Sequence, residues 1–167
     1  MTDGGPVVVA VDEQSDVVID LARWQTLGRD ALVSCGVDAG ELNLLFVDEA
    51  EMTLLNREHM GEDRPTDVLS FPLDAADPDG SALGDILLGD MLLGDIVVCP
   101  AYAARQAGDH AGERGHSGTV DDELALLIVH GVLHVLGHDH AEPAETTAMQ
   151  AEEQRLLDRH HRAGRHA

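Results

Sequence analysis

The run His130-Gly-Val-Leu-His134-Val-Leu-Gly137-His-Asp-His140 constrains this chain more than any other stretch. It ends a segment, roughly Glu123–Leu136, that is apolar on nearly every face, so the helix it predicts is buried on most sides. His130 and His134 are four residues apart and project from one face of that helix, about one turn from each other. Zinc takes three or four N, O or S ligands at roughly 2.0–2.3 Å, and two imidazoles one turn apart reach the same ion. His138 lies eight residues beyond His130, a rise of about 12 Å on a straight helix, too far to share it. The chain must turn back, and Gly137 is where a left-handed residue comes without steric penalty. After that turn His140 completes a three-histidine set for one Zn2+ ion, with a coordination position open for a reactant.

The spacing H-x-x-x-H-x-x-G-x-x-H resembles that of the metzincin proteases, with one difference that changes the chemistry. Those enzymes carry a Glu after the first His as the base that deprotonates zinc-held water. Here that position is Gly131, which argues against ordinary peptide hydrolysis. Asp139 is an alternative third ligand, since carboxylates also bind zinc. His138 either lines the cleft or is exposed. His160, His161 and His166 sit among arginines in a polar tail and read as solvated.

The 167 residues predict one domain over 1–160 with a real core, followed by a basic, disordered tail over 161–167. Aromatic residues make up only 2% of the chain, so Leu, Val, Ile and Ala must build that core. No apolar run approaches the ~20 residues of a membrane helix, and the N-terminus lacks a signal-peptide pattern. Cys35 and Cys99 make no disulfide framework and read as free thiols of a cytoplasmic protein. The net charge is −22, and all ten cations are arginines. That argues against broad, sequence-independent adhesion to nucleic acid through a basic surface. It leaves room for a phosphate-bearing substrate at a local positive spot made by a metal and an arginine.

Along the chain, Val7–Val11 predicts a strand. Ser15 or Asp16 caps a helix over about Val17–Ser34, and Leu42–Val47 is a second strand. Asp48 caps a short helix over roughly Glu49–His59. Pro65–Pro72 reads as a strand bounded by prolines, and a loop follows over about 74–84. Three short near-copies, Leu83–Ile86, Leu88–Met91 and Leu93–Ile96, are too brief for a repeat fold, and the last runs into a strand. Helices are expected over Tyr102–Gly108, from Asp121 or Asp122 to Leu136, and over Pro143–Leu157. The mixture lacks strict alternation, so the fold class is α+β, with one small mixed sheet packed by helices.

Taken with Leu55-Asn-Arg-Glu-His59, the segment 65–72 (PTDVLSFP) and the segment 93–100 (LGDIVVCP), the histidine run resembles the YbeY family of metal-dependent endoribonucleases. Four motifs occur in the family's order over roughly residues 5–158. The resemblance implies a single α+β domain, one zinc ion, and a role in ribosomal RNA maturation and ribosome quality control. RNA precursors and the ribosomal subunit are then its partners. It places the ligands on His130, His134 and His140, and the family's important arginine on Arg57. Two departures stand out: His138 replaces a usual tyrosine, and extra acidic, glycine-rich sequence lies between 74 and 92.

Beside that resemblance, the chemistry reads as follows. Zinc on neutral imidazoles lowers the pKa of bound water to about 7, and a guanidinium such as Arg57 stabilises charge on a phosphoryl group. Arg64 is a weaker candidate for substrate phosphate. Glu123 is either a helix-start charge or a partner behind the ligands, and Asp67 and Ser70 either line the cleft or serve turn and strand packing. No residue identifies itself as the general base. The competing readings are a metzincin-like peptidase and a non-catalytic, zinc-containing ribosome assembly factor.

Overall fold

A computed structural model of the chain describes residues 5–72, 92–138 and 142–162. Four strands form one mixed sheet in the order β1-β2-β4-β3, where β1 is Val7–Asp12, β2 Glu41–Phe46, β3 Val68–Pro72 and β4 Leu92–Val98. β1, β2 and β4 run parallel, and β3 runs antiparallel to β4. The helices are α1 (Leu21–Ser34), α2 (Glu49–Met60), α3 (Pro100–Gln106), α4 (Val120–Val135) and α5 (Pro143–Leu157). This is the expected α+β class.

Alternation in β2 decides which face is inside. Leu42, Leu44 and Phe46 are fully buried, each contributing about 2 kcal/mol by leaving water. Against that face pack Trp24, Leu27 and Ala31 of α1 and Leu124, Ile128, Val132 and Leu133 of α4. The other face holds a smaller cluster in which Met52 of α2 meets Leu69 and Val97. Helix α4 is therefore clamped between the sheet, α1 and α5, and its side chains are fixed before any ligand arrives.

The parallel pairing of β2 with β4 slips by one residue between Glu41 and Leu42. Gly94, at φ 155, sits at the slip, and a Cβ there would lie 2.7 Å from the Phe71 carbonyl oxygen. The third of the short near-copies thus supplies a bulge glycine inside β4. The first two copies and the expected 74–84 loop lie outside the described residues.

Several boundaries differ from expectation, each for a local reason. Helix α1 starts at Leu21, capped by Asp20, whose side chain accepts from Arg23 N–H. Upstream, Gln14 Oε1 takes the amides of Asp16 and Val17, so a side-chain turn replaces the predicted first helical turn. Strand β3 starts only at Val68, because the Asp67 carboxylate accepts the Val68 amide at 2.7 Å. Thr119, rather than Asp121 or Asp122, caps α4 by accepting from Asp122 N–H. The chain past α5 is ordered through Arg162 as a π-helical turn. His161 in that turn is buried, not solvated.

Candidate functional site

Helix α4 brings His130 and His134 together as the four-residue spacing requires. Their rings meet edge to face with centroids 4.5 Å apart, and the two Nε2 atoms are 3.0 Å apart. His130 Nδ1 donates to the carboxylate of Glu153, on α5, at 2.5 Å. That bond fixes the tautomer, because a carboxylate only accepts. The His130 Nε2 therefore presents its lone pair toward His134 Nε2. Nitrogens bound to one tetrahedral zinc at about 2.05 Å stand about 3.3 Å apart. The pair is close to that separation, and a buried carboxylate behind one ring is the usual support of a metal-binding imidazole. The two histidines fit a metal ion on the donor set they show.

The turn after α4 also forms as expected. Gly137 has φ 99, and the amides of Gly137 and His138 return to the carbonyls of His134 and Leu133. His138 is exposed. His140 and Asp139, the expected and alternative third ligands, lie outside the described residues.

Gly131 has a role the sequence did not reveal. A Cβ at this position would lie 2.8 Å from Ile96 Cγ2, inside the core. The residue that carries the base in metzincins here faces the sheet at close approach, so no glutamate fits there without displacing the Ile96 side chain.

Arg57 stands exposed on the last turn of α2 and is bonded to Asp63 through Nε at 3.0 Å and a terminal nitrogen at 2.9 Å. Arg64 is paired with Glu62. Neither is among the described residues lining the cavity beside His130. That cavity, about 330 Å³, opens between α4, α5 and the start of β3, with Asp67, His110, Arg114, Glu123, His130 and Glu153 in its wall. Asp67 is therefore at the cavity and also makes the turn before β3, while Ser70 is a paired residue of β3.

Around Glu123, which the sequence left as a helix-start charge or a partner behind the ligands, gather residues that the sequence reading missed. Glu123 is fully buried, yet its carboxylate accepts from Gln106 Nε2 at 2.7 Å, His110 Nδ1 at 2.7 Å and His116 Nε2 at 2.9 Å. Gln106 spends its other amide hydrogen on Asp67 at 2.8 Å. The bond to Glu123 raises the His110 pKa above its ordinary value, with Glu113 and Asp109 acting in the same direction and burial opposing. His110, His116 and Glu123 each offer a ligand atom within 4.8 Å of the others, a spacing compatible with a metal ion. The available signal was two histidines, thirteen and seven residues before Glu123, in the stretch between the helices expected over Tyr102–Gly108 and from Asp121 or Asp122.

Comparison with known proteins adds to this geometry. The Endoribonuclease YbeY family matches residues 10–161 of the chain. A relative of that name from Mycolicibacterium vanbaalenii is 48% identical over 162 residues, covering 91% of this chain and 79% of its own. Another, from Salinispora tropica, is 44% identical over 162 residues and covers 89% and 93% respectively. A Thermotoga maritima protein whose structure was determined in solution superposes with a TM-score of 0.56 at 23% identity, covering 91% of this chain and 90% of that one. That last likeness supports the fold.

Proposed function

The chain belongs to the Endoribonuclease YbeY family, and from that premise we propose a zinc-dependent endoribonuclease that cuts single-stranded stretches of ribosomal RNA precursors on or near the ribosomal subunit, in the cytoplasm. Among the described residues no helix is long and apolar enough to cross a membrane, in keeping with such a task. The metal is assigned to His130, His134 and His140. The single observation that carries this reading is the pair of Nε2 atoms 3.0 Å apart, with Glu153 holding His130 in the tautomer a metal needs. Zinc is favoured because imidazole donors suit it; nickel and copper accept similar sets.

Bound there, such an ion supplies Lewis acidity and a way to activate water at neutral pH. The protein's part is orientation. Helix α4 fixes two imidazoles, α5 brings the carboxylate behind one of them, and Gly137 ends α4 in a left-handed turn. Arg57 is assigned to the substrate phosphate. For that it must exchange Asp63 for a phosphoryl oxygen. This is an easy exchange, because both partners are more than half exposed and such pairs are worth about 1 kcal/mol or less.

The test is cleavage of a single-stranded RNA oligonucleotide by protein purified without metal-affinity chromatography. His134→Ala is expected to abolish cleavage together with stoichiometric zinc. Arg57→Ala is expected to keep fold and zinc while slowing cleavage about 100-fold. Equal cleavage by wild type and His134→Ala marks a contaminating nuclease and ends the proposal. The peptidase reading has no support in the packing of Gly131 against Ile96.

A further inference from the structure

The hydrogen bonds around Glu123 decide what its cluster does. Gly118 N–H donates to His116 Nδ1 at 2.9 Å, so that nitrogen carries no hydrogen. His116 Nε2 must then be the N–H that donates to Glu123. A metal on His116 Nε2 would require a hydrogen on Nδ1, pointed at the Gly118 N–H. The geometry therefore makes these residues a proton-holding cluster, not a set of metal ligands.

His110 is its open end. Its Nδ1 must donate to Glu123, because a carboxylate only accepts. Its Nε2 has no hydrogen-bond partner among the described residues. The ring is one-third exposed while the Glu123 carboxylate is fully buried, and both line the cavity that reaches His130. A buried carboxylate behind an imidazole fixes its orientation and stabilises its protonated form. Arg114 lies in the same wall with a left-handed φ of 41, an unfavourable backbone for a non-glycine residue that tends to mark functional sites. The charged and titratable groups around His110 are Glu123, His116, Asp109, Glu113 and Arg114 on its own side, and Asp67, His130 and Glu153 across the cavity.

We infer that His110, oriented by Glu123, is the general acid of the RNA cleavage; the inference rests on the nuclease reading above. The oxygen of the attacking hydroxyl forms the new P–O bond and releases its proton to solvent. The P–O bond to the leaving ribose oxygen breaks with its electron pair going to that oxygen. The proton on His110 Nε2 moves to the same oxygen. The neutral ring keeps its Nδ1–H on Glu123 and regains a proton from solvent.

The experiment compares ordinary RNA with matched oligonucleotides carrying sulfur as the bridging leaving atom, in both the 3′ and the 5′ position. A thiolate leaves without needing a proton. His110→Ala and His110→Gln, each checked for fold by circular dichroism, are expected to slow ordinary RNA about 100-fold or more. They should slow the sulfur substrate that wild type accepts by no more than about threefold, and should lose the alkaline limb of the kcat–pH profile. Equal slowing on both substrates would show a structural role and overturn the inference. So would a second equivalent of zinc held by wild type and lost in His110→Ala. A wild-type protein that cleaves neither substrate defeats the nuclease reading itself, an outcome distinct from equal loss.

Discussion

At the scale of single residues, Gly131 shows how packing and chemistry constrain one position together. Alanine is the better helix former by about 1 kcal/mol, so an exposed Gly131→Ala change would stabilise α4. Here the new methyl meets Ile96, itself fully buried, at 2.8 Å. Forcing a methyl group into a filled core costs about 1–3 kcal/mol, and Ile96 belongs to a central strand that has little room to give. The packing term exceeds the propensity term. Gly131→Ala is expected to lower the Tm by about 3 °C, measured by thermal unfolding in the presence of chelator so that metal binding does not enter. A higher Tm would mean that β4 and α4 are looser than the contact implies. Glu153 shows the converse, a residue whose value lies wholly in its partner. Its carboxylate is nearly buried, and it is there to hold one imidazole proton.

At the scale of elements, legibility followed sequence distance. The ends of α5 and the burial of α4 are local patterns, and both stood in the sequence. So did the pairing of His130 with His134 and the reversal at Gly137, because four residues of helix and one glycine specify them. The start of α1 did not, since it turns on Gln14 folding back on the amides of Asp16 and Val17. Glu153 behind His130, and His110 and His116 on Glu123, join separate elements, and no spacing rule reaches across a fold. The C-terminal turn was misread for the same reason. His161 there donates through Nε2 to Asp122 on α4 at 2.8 Å, while Arg23 of α1 donates to its Nδ1 at 3.3 Å. Burial, then Arg23 and Arg162, depress its pKa to about 4, with Asp121 opposing. Asp122, on the other nitrogen, also favours the charged ring, but a proton on Nδ1 would have to displace the Arg23 hydrogen bond. Above about pH 6.5 the ring is neutral folded or unfolded. Below it the unfolded chain takes a proton that the folded chain refuses, so stability falls as pH drops from about 6.5 toward 4. Between pH 7 and pH 5 the wild type should lose up to about 2 kcal/mol more than His161→Gln, read from urea unfolding at both pH values. Parallel losses in the two proteins would mean that His161 is already protonated in the fold.

At the scale of the whole molecule, a charge of −22 has to be reconciled with a polyanionic substrate. Among the described residues, Arg23, Arg57, Arg64, Arg105, Arg155 and Arg162 each pair with a carboxylate. The protein's far field is thus negative, and RNA approaches it against repulsion. Favourable contacts are local: Arg57, once it exchanges Asp63 for a phosphoryl oxygen, and Arg114 in the cavity wall, beside which Glu123 raises the His110 pKa. Salt weakens the two fields unequally. The screening length is about 30 Å at 0.01 M and about 8 Å at 0.15 M, so added salt removes the long-range repulsion first and spares the short contacts. A basic nuclease behaves the other way, losing affinity steeply as counterions compete. For this protein KM on a short RNA is expected to fall several-fold as KCl rises from about 10 mM to about 150 mM, with kcat nearly constant. Steady-state kinetics on a ten-nucleotide substrate over that range provide the check. A KM that rises with a steep logarithmic slope would reveal an extended basic docking face, and the local account of RNA recognition would fail.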